Sequence, residues 1–257
     1  MTQTTDKNAT VQSGTVPALA IEGLCKEYPK FKLNNVTFSV NEGEICGFVG
    51  RNGAGKSTTL KSLLGLVHPS AGNVRCFGLD AREHEREIKQ MIGFSGGAVD
   101  YYKRKKIKTI VDVTKTFYET WDEDEYRRLL ERFELDEEKT PSELSEGMKV
   151  KLNLALALSH RARLLILDEP TSGLDPFSRA EVLDIFRELT KENVTILFST
   201  HIVSDLEKCA DRIVFIRKGE IVADETKNDF IGRFSETGNE SLEDIVVRLE
   251  RKGESNE

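Results

Sequence analysis

No stretch of this 257-residue chain approaches the roughly 18 consecutive apolar residues that a membrane-spanning helix needs. Residues 1–15, MTQTTDKNATVQSGT, are polar and lack the apolar centre of a secretory signal. The leader over 1–17 is therefore expected to be disordered. Its Asn8-Ala9-Thr10 fits a glycosylation pattern, but a cytosolic chain is not modified there. Cysteine is scarce: Cys25, Cys46, Cys76 and Cys209 are scattered without metal-ligand spacing, which points to the reducing cytosol. Positive charge is in deficit. A net charge of −7 weighs against a dedicated nucleic-acid binder, although a local basic patch remains open. There is no internal repeat, which argues for one unit and not a tandem pair, and no sustained heptad pattern that would build a long coiled coil.

What is present is enough for a core: 38% of the residues are hydrophobic, and the length suits one large domain or two small ones. The chain is organised around Gly50-Arg51-Asn52-Gly53-Ala54-Gly55-Lys56-Ser57, a match to G-x-x-x-x-G-K-[ST]. It follows an apolar run, Ile45 to Val49, that reads as a buried strand, and precedes a helix over Thr58 to Leu66. That order suits phosphate binding. The glycines let successive backbone N–H groups face inward, and these groups and the helix N-terminus hold phosphate oxygens. Lys56 is placed to reach the β- and γ-phosphates, and Ser57 to ligate Mg²⁺.

Elsewhere the pattern alternates strand and helix. Residues 18–24 and 35–40 read as edge strands, with Tyr28 between them. That tyrosine is either a half-buried strand end or an aromatic plate for a purine ring. Asn73 to Phe77 reads as a short strand, 82–90 as an exposed polar helix, and Ile92-Gly93-Phe94 as a central strand. About 98–150 reads as a helical insert. Its acidic runs, 122–125 and 136–138, read as solvated helix ends. Helix 148–160 leads to the fully apolar Leu164-Leu165-Ile166-Leu167, the signature of a parallel strand covered on both faces. Strand–helix alternation continues through 177–190, 194–198, 203–209 and 213–216. Gly219 to Val222 reads as a hairpin return, and 241–250 as a short C-terminal helix. The fold class is α/β, with a phosphate-loop parallel core, an antiparallel N-terminal part and a helical insert.

Asp168 and Glu169 directly follow the apolar strand, where an open parallel sheet presents its ligands. An aspartate there suits a Mg²⁺ shell, and a glutamate there can polarise an attacking water. Ser199-Thr200-His201 follows the next strand. The histidine either hydrogen-bonds a γ-phosphate in the same crevice or is incidental to a capping Ser-Thr. Ser145 is an N-cap candidate. A Ser and a Gly at a helix start also form a phosphate surface, one that would serve a partner subunit's nucleotide.

These motifs, in this order, resemble the ATP-binding subunit of ABC transporters over roughly residues 18–225, with 226–257 as a short helical tail. Gly50, Asn52, Gly53, Gly55, Lys56, Ser57 and Thr58 fall in the family's phosphate loop and its helix start. Leu144 to Met148 resembles its signature, Leu164 to Glu169 its second nucleotide motif, and Ser172-Gly173-Leu174-Asp175 the loop that crosses its dimer interface. His201 resembles its switch histidine and Tyr28 its adenine-stacking aromatic. The resemblance implies ATP and Mg²⁺ as ligands. It implies a head-to-tail dimer with ATP between Lys56 of one subunit and Ser145 and Gly147 of the other, with Asp175 at the interface. It implies Ser57 and Asp168 at the metal, and Glu169, His201 and Lys56 as catalytic groups. Two departures stand out. Glu146 and Met148 replace the signature's usual first glycine and glutamine, and Gly97 sits where the family carries a glutamine.

The first expectation is an ATPase bound peripherally at the cytoplasmic face of the membrane. It would drive separate permease subunits, as in exporters of small molecules, peptides or drugs. No nucleic acid is expected, and the transported substrate is not expected to touch this chain. The alternatives are a soluble ATPase of the same superfamily acting on ribosomes or nucleic acid, and a catalytically dead nucleotide-binding partner. Tyr101, Tyr102 and the basic residues of 103–108 read either as a solvated loop or as a docking surface for a membrane subunit.

Overall fold

The computed structural model describes residues 16–96 and 103–254. The expected leader up to residue 15, and Gly97, Tyr101 and Tyr102, lie outside the described residues. In chain order, strands β1 (Leu19–Tyr28) and β2 (Phe31–Val40) form a long hairpin, longer at both inner ends than the sequence pattern suggests. Strand β3 (Ile45–Val49) enters helix α1 (Lys56–Leu63). Next come β4 (Ala71–Cys76), the two-residue β5 (Leu79–Asp80), α2 (Glu85–Met91) and β6 (Ile92–Gly96). The insert supplies α3 (Ile107–Thr114) and α4 (Glu123–Arg132), then α5 (Glu146–Ser159) returns to the core. Strand β7 (Leu164–Asp168), α6 (Pro176–Lys191), β8 (Thr195–Thr200), α7 (Val203–Cys209) and the hairpin β9 (Arg212–Arg217) and β10 (Glu220–Thr226) follow. Helices α8 (Lys227–Phe234) and α9 (Leu242–Glu254) close the described chain.

Two sheets result. The antiparallel one runs β2-β1-β4-β5, and the larger runs β10-β9-β3-β8-β7-β6, parallel except for β10. The apolar runs of the larger sheet are explained by its two covered faces. Alternate residues point opposite ways along a strand. Cys46, Phe48, Ile166, Leu197 and Val214 therefore meet the small sheet and α1. Ile45, Val49, Leu165, Leu167, Ile196, Phe198 and Phe215 meet the helices on the other side.

Three features depart from the sequence pattern. Strand β6 is not central; it is an edge strand paired with β7 alone. Its apolar character comes from helix cover: a Cβ on Gly93 would lie 2.4 Å from that of Ala157 in α5. Helix α8 has a polar sequence that hides it. It is fixed by Phe230, fully buried, and by Thr226, whose hydroxyl accepts the Asp229 N–H. The acidic runs are engaged with other segments and are not simply solvated. Asp122 caps α4 and pairs with Arg161. Glu138 pairs with both Lys106 and Lys108, which hold its carboxyl down at about 2. Part of the basic cluster at 103–108 is thus neutralised within the chain.

His160, at the end of α5, stacks on Tyr118 with ring centroids 3.7 Å apart, and its Nδ1 lies 3.3 Å from the Gln90 carbonyl oxygen. Burial pushes its pKa down to about 4. The folded protein therefore favours neutral imidazole. The resulting stability is fully present above the unfolded value of about 6.5 and is lost as pH falls toward 4, roughly 3 kcal/mol over the whole window. Melting temperature should fall more between pH 6.5 and 4.5 in the wild type than in His160→Gln. Parallel pH profiles would refute the assignment.

Candidate active site

The loop after β3 is held by close packing on both sides. A Cβ on Gly50 would lie 2.3 Å from the Ile216 carbonyl oxygen, and one on Gly55 would lie 2.6 Å from a Leu33 methyl carbon. Gly53 and Gly55 have φ of 83° and 116°, which side-chain-bearing residues rarely adopt. The loop therefore curls over the N-terminus of α1, where Ser57 is exposed and Thr58 half-buried; Asn52 is exposed in the turn. Lys56 is 5% exposed and folds back, its Nζ donating to the Gly50 carbonyl at 2.6 Å.

Tyr28 ends β1 opposite Phe31, and the Phe31 ring edge abuts Gly55. The hairpin thus brings the tyrosine towards the phosphate loop. The residue is 39% exposed, with the Lys26 ammonium 5.6 Å from its ring centroid.

The parallel register sets Asp168 level with Ser199, whose hydroxyl donates to the Asp168 carboxylate at 2.5 Å. Glu169 begins the following loop at φ 53°, its N–H donating to Ser199. One carboxylate oxygen of Glu169 lies 3.3 Å from Lys56 Nζ. The other lies 2.7 Å from His201 Nδ1 and accepts the His201 backbone N–H at 3.3 Å. Three residues singled out from separate segments, Lys56, Glu169 and His201, therefore meet at one carboxylate.

A second cluster stands apart. Ser145 caps α5, accepting the Met148 N–H at 3.2 Å, and Gly147 packs against Ser178 of α6. Asp175 caps α6, accepting N–H bonds from Phe177 and Ser178 and a hydroxyl bond from Ser178 that holds its carboxyl below the usual range. Among the described residues, no hydrogen bond or ion pair joins Ser145, Gly147 or Asp175 to Lys56, Glu169 or His201. Glu146, the unusual signature residue, pairs with Lys149 at 2.6 Å along its own helix.

The site fits a polyphosphate with a hard cation. Gly50 and Gly55 sit where a Cβ would collide, Gly53 holds a positive φ, and the oxygen donors Ser57 and Asp168 suit Mg²⁺. Among the described residues no group of three or more His, Cys, Asp or Glu could hold a metal by itself. Ser199 is a site residue that sequence patterning reads only as a possible cap, because its role comes from strand order.

A family profile described as ABC transporter matches residues 33–172. The chain belongs to the ABC transporter family, as an ATP-binding subunit. It is similar to the bacitracin transport ATP-binding protein BcrA of Bacillus licheniformis, 36% identical over 77% of this chain and 66% of that protein. It is also similar to the lantibiotic transport ATP-binding protein SrtF of Streptococcus pyogenes, 35% identical over 88% of this chain and 95% of that protein. A solved ATP-binding subunit of an ABC transporter superposes with TM-score 0.81 at 29% identity, covering 90% of this chain and 99% of that one. The phosphate-loop core, antiparallel sheet and helical subdomain are the architecture of this ATPase family.

Gly50→Ala tests the packing of the loop. The added methyl has no room against Ile216, so the loop must shift. Mg-ATP affinity, read by equilibrium fluorescence titration, should fall about tenfold or more. Wild-type affinity would show that the loop tolerates displacement.

Proposed function

We propose that this chain hydrolyses ATP within a head-to-tail dimer and drives transport through separate membrane subunits, exporting a small molecule, peptide or drug. Residues 18–225 form the ATPase domain, 98–150 its helical insert and 226–257 its tail. The observation that carries the reading is the Glu169 carboxylate held between Lys56 and His201.

In this reading the α1 N-terminus, the loop N–H groups and Lys56 hold the ATP phosphates, and Tyr28 stacks on the adenine. Mg²⁺, held by Ser57 and Asp168, supplies charge neutralisation at the phosphate oxygens. Glu169 accepts the proton of the attacking water, and His201 keeps that carboxylate oriented and hydrogen-bonds the γ-phosphate. Lys56 exchanges its contact with Glu169 for phosphate, which leaves the carboxylate able to act as base. Ser145 and Gly147 lie in the separate cluster, which suits action on the partner's nucleotide across an interface bordered by Asp175. The pairing of Glu146 with Lys149 offsets the carboxylate charge that would otherwise face a γ-phosphate.

The membrane partner has a candidate seat. Leu66, Phe94 and Phe117 are exposed apolar residues that line one cleft beside α2, and Phe94 lies just before the segment that includes Gly97. No helix among the described residues is long and apolar enough to cross a membrane. Peripheral attachment at the cytoplasmic face through such a cleft accounts for both observations. The names of the bacitracin and lantibiotic relatives support a peptide or drug cargo.

Glu169→Gln should retain Mg-ATP binding, lose turnover at least about 100-fold and sediment as an ATP-dependent dimer. Turnover at the wild-type rate would overturn the assignment of the base. Leu66→Ser with Phe117→Ser should keep basal ATPase activity and lose co-purification with the membrane subunits. Recovery of ribosomes or nucleic acid in place of membrane proteins would overturn the transport reading.

A further inference from the structure

Glu169 is conformationally improbable. It has φ 53° and precedes Pro170, and either condition alone disfavours the backbone it adopts. Such a residue persists only where its surroundings over-determine it. Its N–H is fixed by Ser199, and its carbonyl accepts the Ser172 N–H at 3.1 Å. The remaining anchor lies beneath the site. Thr171, two residues on, donates its hydroxyl to Asp205 Oδ2 at 2.6 Å, and both residues are fully buried.

Asp205 lies in the first turn of α7, four residues after His201, where a carboxylate is favoured by the helix N-terminus. Its second oxygen, Oδ1, has no hydrogen-bond partner among the described residues. A buried carboxylate with a single side-chain donor is costly to keep. The segment 169–174 and the segment 201–205 are thus joined twice: at the mouth by Glu169 and His201, and underneath by Thr171 and Asp205. The upper link lies at the partly exposed mouth of the site, whereas the lower one faces no solvent.

We propose that Thr171 and Asp205 are positioning residues for hydrolysis: their buried hydrogen bond holds the Glu169 backbone in its left-handed conformation and keeps the carboxylate within reach of His201. The inference rests on the reading of Glu169 as the base. Without the link, the 169–171 segment relaxes toward ordinary backbone angles and the carboxylate leaves its station. A misplacement of about 1 Å costs on the order of 100-fold in rate. ATP binding is made by the loop at 50–58, which the link does not touch, so the loss falls on kcat and leaves affinity intact.

The test uses the full-length protein, with steady-state ATPase kinetics, Mg-ATP titration and melting temperature measured on each variant. Thr171→Val, which keeps the shape and removes the donor, should lower kcat about 10- to 100-fold with Mg-ATP affinity within about twofold of wild type. Thr171→Ser restores the hydroxyl and should return most of the rate. Asp205→Asn keeps an acceptor for Thr171 and should fall between the two. Combined with Glu169→Gln, Thr171→Val should lower the residual rate no further, because the link acts through Glu169. The inference is overturned if Thr171→Val turns over at the wild-type rate, if it loses affinity in step with kcat, or if Thr171→Ser is as slow as Thr171→Val. If instead Glu169→Gln itself hydrolyses at the wild-type rate, the assignment of the base fails, and that outcome is read separately from Thr171→Val.

Discussion

The parallel pairing of β7 against β8, with Asp168 level with Ser199, is the constraint on which the site depends. It places the end of one strand against the end of the next, so that the segments 169–175 and 201–205 leave the sheet side by side. Pairing β3 with the other edge of β8 brings the phosphate loop to the same end. Three chain segments that are far apart in sequence, at 50–58, 169–175 and 201–205, then converge. The strands hold that geometry because both faces of the sheet are covered, and sliding one strand by a residue would exchange its two buried faces.

Charge is used sparingly on this frame. Lys56 is buried, yet it is paired with Glu169 and hydrogen-bonded to the Gly50 carbonyl, which offsets the cost of desolvating an ammonium. Most other ion pairs lie on the exposed helical surface, where each contributes little to stability. Their evident use is to settle local arrangement: Glu138 ties the start of α3 to the segment after α4, and Glu146 turns along α5 toward Lys149.

The C-terminal helices belong to the same packing. Leu242, Ile245 and Val246 join the helix-side core, and the Leu242 N–H donates to Glu207 of α7. The helix that follows His201 is therefore enclosed by the sheet, by Thr171 through Asp205, and by α9. Its position is a property of the whole α/β unit and not of the loop that carries the histidine.

The sequence by itself determined the phosphate loop, the buried strand Leu164 to Leu167 with its terminal Asp168 and Glu169, the helix start at Ser145, and most of the strand–helix alternation. Each of these is legible because its physics is local: glycine conformational freedom, a capping hydroxyl, a run of apolar residues too uniform for a surface. The tertiary structure alone decided that β6 is an edge strand, since helix cover and strand cover demand the same apolar residues. It alone revealed α8, whose only buried residue is Phe230. It alone joined Ser199 to Asp168, His201 to Glu169, and Asp205 to Thr171, because a hydrogen bond between side chains about thirty residues apart depends on strand order and register. Those are set by burial of the sheet as a whole, and no window of sequence contains that information.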